Sequence, residues 1–190
     1  MKQATVRQLI PALTLPAAVA ASLAAAPGLD GWMGAMLAAL MLAIAASDLR
    51  RYTIPDELTA TAALLALLRA GLAGPDAGWG SVLRAAGTGL AVTATLLALM
   101  ALYRWWRGRD GMGLGDVKLA GTAAAWLGLT TLFVVIEMAA LSALGAYLLN
   151  GAIRRRPLKA HAFLPFGVFL APSIWLGWLL EALIDGHPLF

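Results

Sequence analysis

Two aspartates carry the strongest chemical suggestion in this chain. Asp48 closes one long apolar stretch, and Asp116 opens another directly after Gly111-Met112-Gly113-Leu114-Gly115. Acids in or beside apolar spans are costly, roughly 2.5–3.5 kcal/mol at a span's centre, so each calls for a reason. Two carboxyl groups at one depth on neighbouring helices can form a hydrolytic dyad. Like charges a few ångströms apart do not both ionise, so one carboxyl stays protonated as acid while the other activates water. The structural alternative is that Asp48 and Asp116 mark helix ends at the headgroup level.

The glycines before Asp116 allow backbone conformations closed to other residues and close approach of another segment. A plain flexible turn is the bland alternative. The run is not a phosphate-binding loop, because no Gly-Lys-Ser/Thr follows and Asp116 would put negative charge where a phosphate sits. It is not a dinucleotide fingerprint either, since no strand precedes it. The absence of cysteine removes disulfides, Cys-type zinc sites and thiol nucleophiles. With two histidines, His161 and His187, and no H-E-x-x-H, a zinc protease has no ligands. No metal and no cofactor is expected.

The elements that must position these acids follow from composition. Of 190 residues, 61% are hydrophobic and 13% charged, against about 25% charged in soluble domains. So little charge cannot cover a globular surface, which excludes a water-soluble domain, disorder and a coiled coil. The mean hydropathy of +0.81 agrees. The basic balance reflects membrane topology rather than nucleic acid, so the lipid bilayer is the expected surrounding.

Seven apolar stretches predict an all-α, polytopic membrane protein. They lie near 8–26, 31–47, 57–73, 80–103, 114–128, 130–150 and 163–184, separated by Pro27-Gly28, Ile54-Pro55-Asp56, Gly74-Pro75-Asp76, the glycine run and a basic stretch ending in Pro157. The fifth is short for a full crossing. The first has Lys2 and Arg7 before it, as a signal-like segment would, but its apolar run is long for one.

With the N-terminus in the cytoplasm and seven alternating spans, Lys2, Arg7, Arg50, Arg51, Arg104, Arg107, Arg109, Lys118, Arg154, Arg155, Arg156 and Lys159 fall inside. Only Arg69 and Arg84 fall outside, each near a helix end from which it can snorkel. Asp48 and Asp116 then share the cytoplasmic end.

Residues 48–56, Asp-Leu-Arg-Arg-Tyr-Thr-Ile-Pro-Asp, resemble the first aspartate box of the prepilin peptidases. Residues 113–118, Gly-Leu-Gly-Asp-Val-Lys, resemble their second box, a G-x-G-D arrangement shared with presenilin-like and archaeal preflagellin peptidases. Residues 164–171, Leu-Pro-Phe-Gly-Val-Phe-Leu-Ala, are similar to a third family segment, with Val168 where proline is usual.

The resemblance implies an aspartic endopeptidase of the bacterial inner membrane, cutting the basic leader from type IV prepilins or pseudopilins at the cytoplasmic face. Asp48 and Asp116 would be the catalytic pair, with Ile54, Pro55, Asp56, Gly113, Gly115 and Lys118 as supporting motif residues. The resemblance covers roughly residues 31–184, six spans, so the expected organisation is an N-terminal hydrophobic helix over 1–30, read from its span length, and a membrane-embedded peptidase core over 31–190. It also implies the short form, without the four-cysteine zinc domain of longer members and with their N-methylation in doubt.

The helix ends suggest a division of labour. Asp48 ends its own helix, where the partial negative charge opposes ionisation, and Asp116 begins one, where the partial positive charge favours it. That makes Asp116 the base and Asp48 the acid.

Lys118 is expected to anchor at the interface, or else to reach lipid phosphate or substrate. Asp56 and Glu57 suit a helix start and, alternatively, attract a basic leader, with Asp56 the substitute should Asp48 be dispensable. Glu137 is expected to face the bundle interior. Glu181, Asp185 and His187 are expected in solvent, Trp105 and Trp106 in an interfacial belt, and Gly145 and Gly151 in helix packing. Two other classes fit the acids less well. A small ion-coupled transporter would place them at mid-membrane, and a non-catalytic assembly factor of the same fold would not need both boxes.

Overall fold

The computed structural model describes residues 2–73, 76–109, 111–154 and 165–185. Gly74, Pro75, Arg155, Arg156, Pro157, Lys159, His161, Leu164 and His187 lie outside the described residues, as do the side chains of Lys2, Arg7, Arg154 and Asp185. Among the described residues the chain forms seven helices: α1 (Lys2–Ala25), α2 (Leu29–Arg51), α3 (Asp56–Leu72), α4 (Trp79–Arg107), α5 (Leu114–Trp126), α6 (Leu129–Arg154) and α7 (Gly167–Asp185). The protein is an all-α polytopic membrane protein. Four helices, α2, α4, α6 and α7, are long and apolar enough to cross a bilayer. The 13 residues of α5 extend only about 20 Å at 1.5 Å per residue.

Short α5 is the centre of the bundle rather than a marginal span. Val117, Leu119, Ala120, Thr122, Ala123, Ala124 and Trp126 are all buried, against α3, α4 and α7. Small residues make that possible. At the α4–α5 crossing, a Cβ on Gly89 would stand 2.9 Å from the carbonyl oxygen of Gly121, so the two backbones nearly touch. Around α5 the core is filled by Leu37, Met41 and Ile44 of α2 and by Leu170, Ile174 and Trp178 of α7. α1 packs on α2 and α7, where the Trp175 indole N–H donates to Ser22 Oγ at 3.0 Å.

Polar contacts gather at the two ends of the bundle. At one end Arg69 Nε donates to Asp30 Oδ1 at 2.6 Å, Nη1 donates to the Trp126 carbonyl at 3.3 Å, and the guanidinium lies 5.5 Å from the Trp126 ring centroid. Arg69 therefore does not snorkel outward; it ties the start of α2 to the ends of α3 and α5. Glu181, expected in solvent, is half-buried at this same end and engaged. Its Oε1 accepts the Gly128 N–H at 2.9 Å, capping α6.

Glu137 departs furthest from expectation, because it is exposed on the outer face of α6. An apolar helix bathed in lipid is greasy on both faces, so hydropathy could not say which side turns inward. A Cβ on Gly145 would meet nothing within 4 Å among the described residues beyond its own helix backbone, so Gly145 packs against no described helix.

Candidate active site

The opposite end of the bundle collects Asp48, Asp56 and Asp116. Asp48 is 5% exposed, in the last turn of α2. The helix ends just beyond it, at Tyr52, which takes the left-handed conformation (φ 55°) while its N–H donates to the Asp48 carbonyl at 2.9 Å. A bulky residue at positive φ is strained, and such residues persist where the surroundings dictate the turn. The turn is braced by the Ser47 hydroxyl, which donates to the Thr53 carbonyl at 3.1 Å. Pro55 then takes the N-cap position of α3, where its fixed φ of −64° and missing N–H are harmless. The reversal drops Ile54 between the starts of α5 and α7.

Two glycines make that placement possible. A Cβ on Gly115 would lie 3.0 Å from Ile54 Cβ, and one on Gly167 would lie 2.9 Å from Ile54 Cδ1. The same Gly167 Cβ would stand 2.9 Å from Asp48 Oδ2. The glycines therefore serve close approach rather than unusual dihedrals. Gly113 has φ −75° and ψ 140°, values open to any residue, and neither it nor Gly115 has a positive φ.

Each aspartate is held by backbone donors at a helix start. Asp48 Oδ2 accepts the Val168 N–H at 3.1 Å, and the carboxyl also faces the Gly167 N–H. Phe166, at the N-cap position of α7, has no side-chain acceptor, so Asp48 caps that helix from another one. Asp116 is the third residue of α5 and reaches back to the Gly113 N–H, as the third residue of a capping box does. The two carboxyls are near enough for the charge on one to be felt by the other. This arrangement removes the basis for assigning roles from helix ends. Asp48 ends α2 but also faces the start of α7, so both carboxyls sit at positive helix termini.

Lys118 is neither a free anchor nor an arm toward lipid. Its Nζ donates to Asp56 Oδ1 at 2.8 Å, joining the second motif to the first across α3 and α5. Asp56 is thus engaged apart from the Asp48–Asp116 pair. Running from Asp56 and Lys118 is a cleft of about 510 Å³ between α3, α4 and α5, floored by small residues including Ala60, Ala63, Ala86 and Gly121. Trp105 and Trp106 are exposed at the same end of α4, with the Arg107 guanidinium 4.8 Å from the Trp106 ring centroid.

Gly167 and Val168 were not singled out as site residues by sequence reasoning; the third family-like segment is the signal that marks them. What the geometry offers is two carboxyls from different helices, oriented by backbone N–H groups around one packed isoleucine. Residues 35–149 match the Type IV leader peptidase family.

The chain belongs to that family. Relatives named prepilin leader peptidase/N-methyltransferase include one from Aeromonas hydrophila, 31% identical over 175 residues, which are 90% of this chain and 57% of the relative. One from Burkholderia pseudomallei (strain 1026b) is 38% identical over 154 residues, 78% of this chain and 48% of the relative. One from Pectobacterium carotovorum subsp. carotovorum is 32% identical over 176 residues, 91% and 60% respectively. The chain thus spans about half to three-fifths of the curated relatives it matches. No solved structure matches it.

Proposed function

We propose that this chain is a membrane aspartic endopeptidase that removes the basic leader from type IV prepilins or pseudopilins. Asp48 and Asp116 are the reacting pair. One carboxylate takes a proton from water as the water oxygen bonds to the scissile carbonyl carbon. The other carboxyl gives its proton to the carbonyl oxygen. Collapse of the tetrahedral intermediate breaks the C–N bond, and the amine leaves with a proton from the dyad.

The observation that carries this reading is the convergence of Asp48 and Asp116 at one end of the bundle, bridged by Ile54 and Gly167. Donors at two helix starts fix the carboxyls before substrate arrives, so little reorganisation is needed at the moment of reaction. Ile54, Pro55, Gly113 and Gly115 act as positioning residues, and Asp56 with Lys118 holds α3 to α5. The apolar cleft beside that ion pair offers a bed for the hydrophobic segment after the cleavage point.

The positive-inside pattern supports a cytoplasmic location for this end and for the N-terminus, and the proposed substrate is in keeping with the bacterial inner membrane. The segment 1–30, which carries α1, is then an accessory to a peptidase core of 31–190. The test mixes the purified full chain in detergent with a pilin precursor. Wild type releases the leader, while Asp48→Asn and Asp116→Asn each fail to. An inert wild type, or two active variants, would overturn the proposal.

A further inference from the structure

Among the described residues, one acid lying deep inside a membrane-spanning helix has nothing to hold it. Asp30 meets Arg69, Asp48 meets the α7 start, Asp56 meets Lys118, Asp116 meets Gly113, and Glu181 meets Gly128. Glu137, among the described residues, sits inside a span with neither a cation nor an N–H beside it. Its helix is one of the four long enough to cross the bilayer. Glu137 is eight residues from the start of α6, about 12 Å along the axis, too deep for its short side chain to reach the interface.

Its direction on the helix is unambiguous. Leu132, Val135, Ala139 and Ala143 are buried, and α6 packs on α7 and α5 alone among the described elements. At about 100° per residue, Phe133, Glu137, Leu141, Leu144 and Leu148 form the stripe on the opposite side, and all are exposed. Lipid tails offer this carboxyl no hydrogen-bond partner, and intramembrane acids turn toward protein or water rather than lipid.

We infer that this stripe of α6 is covered by a second copy of the same chain, with Glu137 hydrogen-bonded to the partner's Glu137. A carboxylic acid carries one donor and one acceptor, so two of them at one depth complete each other. Copies inserted with the same orientation place Glu137 at the same depth, and a two-fold axis along the membrane normal closes the contact. Gly145, where an added Cβ would meet no other described residue within 4 Å, lies beside the stripe and permits close approach there. The inference does not depend on the proposed peptidase activity, because the stripe lies on the far side of α6 from α7.

The natural absence of cysteine gives a clean test in native membranes. The full chain carrying Leu144→Cys, one heptad beyond Glu137, is oxidised and run under non-reducing conditions, with Leu90→Cys on exposed α4 as control. The expected result is a band at twice the chain mass for Leu144→Cys and none for Leu90→Cys. Adding Glu137→Leu should reduce that band at least about tenfold, as loss of the paired carboxyls requires, whereas Glu137→Gln, whose amide also donates and accepts, should keep it within about threefold. An unchanged thermal midpoint for Glu137→Leu would show that the fold is intact. No doubled band, equal bands at both cysteines, a cross-link only to another protein, or indifference to Glu137→Leu would overturn the inference.

Discussion

Gly167→Ala is the most informative small change in the candidate site. The added methyl would lie 2.9 Å from both Asp48 Oδ2 and Ile54 Cδ1, and 3.1 Å from Asp48 Cγ. Ordinary carbon contacts begin near 3.5 Å, so either Asp48 or the α7 start must shift by about half an ångström. Overpacking of this kind costs roughly 1–3 kcal/mol, and the 3.1 Å bond from the Val168 N–H is the first to lengthen. A misplacement approaching 1 Å at a reacting group costs about 100-fold in rate.

The expected outcome is therefore a fall in kcat of about 10- to 100-fold with little change in KM, measured by leader release from a purified precursor. The thermal midpoint should fall modestly. Ile54→Val removes Cδ1 and should restore part of the stability in the double variant but little of the rate, because the Asp48 contact remains. Gly87→Ala is the control, since a Cβ there meets nothing within 4 Å. It should stabilise by about 0.4–1 kcal/mol. A Gly167→Ala enzyme with wild-type kcat would refute the claim that Asp48 is positioned through this turn.

Four other substitutions separate the site from its supports. Asp56→Asn or Lys118→Met breaks an ion pair whose side chains are 71% and 47% exposed; stability should change by less than about 1 kcal/mol, and cleavage should stay within roughly tenfold of wild type, equivalent to ~1.4 kcal/mol. Arg69→Gln at the far end removes the Asp30 pair and the bond to the Trp126 carbonyl; the thermal midpoint should fall with a loss of roughly 2–4 kcal/mol, while kcat per folded molecule is unchanged. Ala86→Phe fills part of the cleft between α3, α4 and α5, and should raise KM roughly tenfold, the loss of ~1.4 kcal/mol of binding, with kcat nearly intact.

Much of the fold was legible because its signals are local. Seven apolar runs bounded by Pro and Gly become seven helices, and Asp48 and Asp116 stand out as acids where acids are costly. The missing parts are all tertiary. The N–H that holds Asp48 belongs to Val168, 120 residues away, so a helix-end argument confined to α2 misses half of the electrostatics. The Lys118–Asp56 pair spans 62 residues, and Lys118 read alone is an interfacial lysine. The inward face of α6 is hidden for a different reason: lipid and core are equally apolar, so periodicity carries no sign. The short length of α5 was visible, but its burial at the centre depends on the contact between Gly89 and Gly121.

The central claim is that Asp48 and Asp116 act as one unit on one water. The direct measurement is the rate of leader release by Asp48→Asn, Asp116→Asn and the double variant under single-turnover conditions. Groups that act together are strongly non-additive, so each single variant should lose about 10⁴- to 10⁶-fold and the double no more than either. Losses that multiply, or a single variant that keeps near wild-type rate, would contradict the paired mechanism.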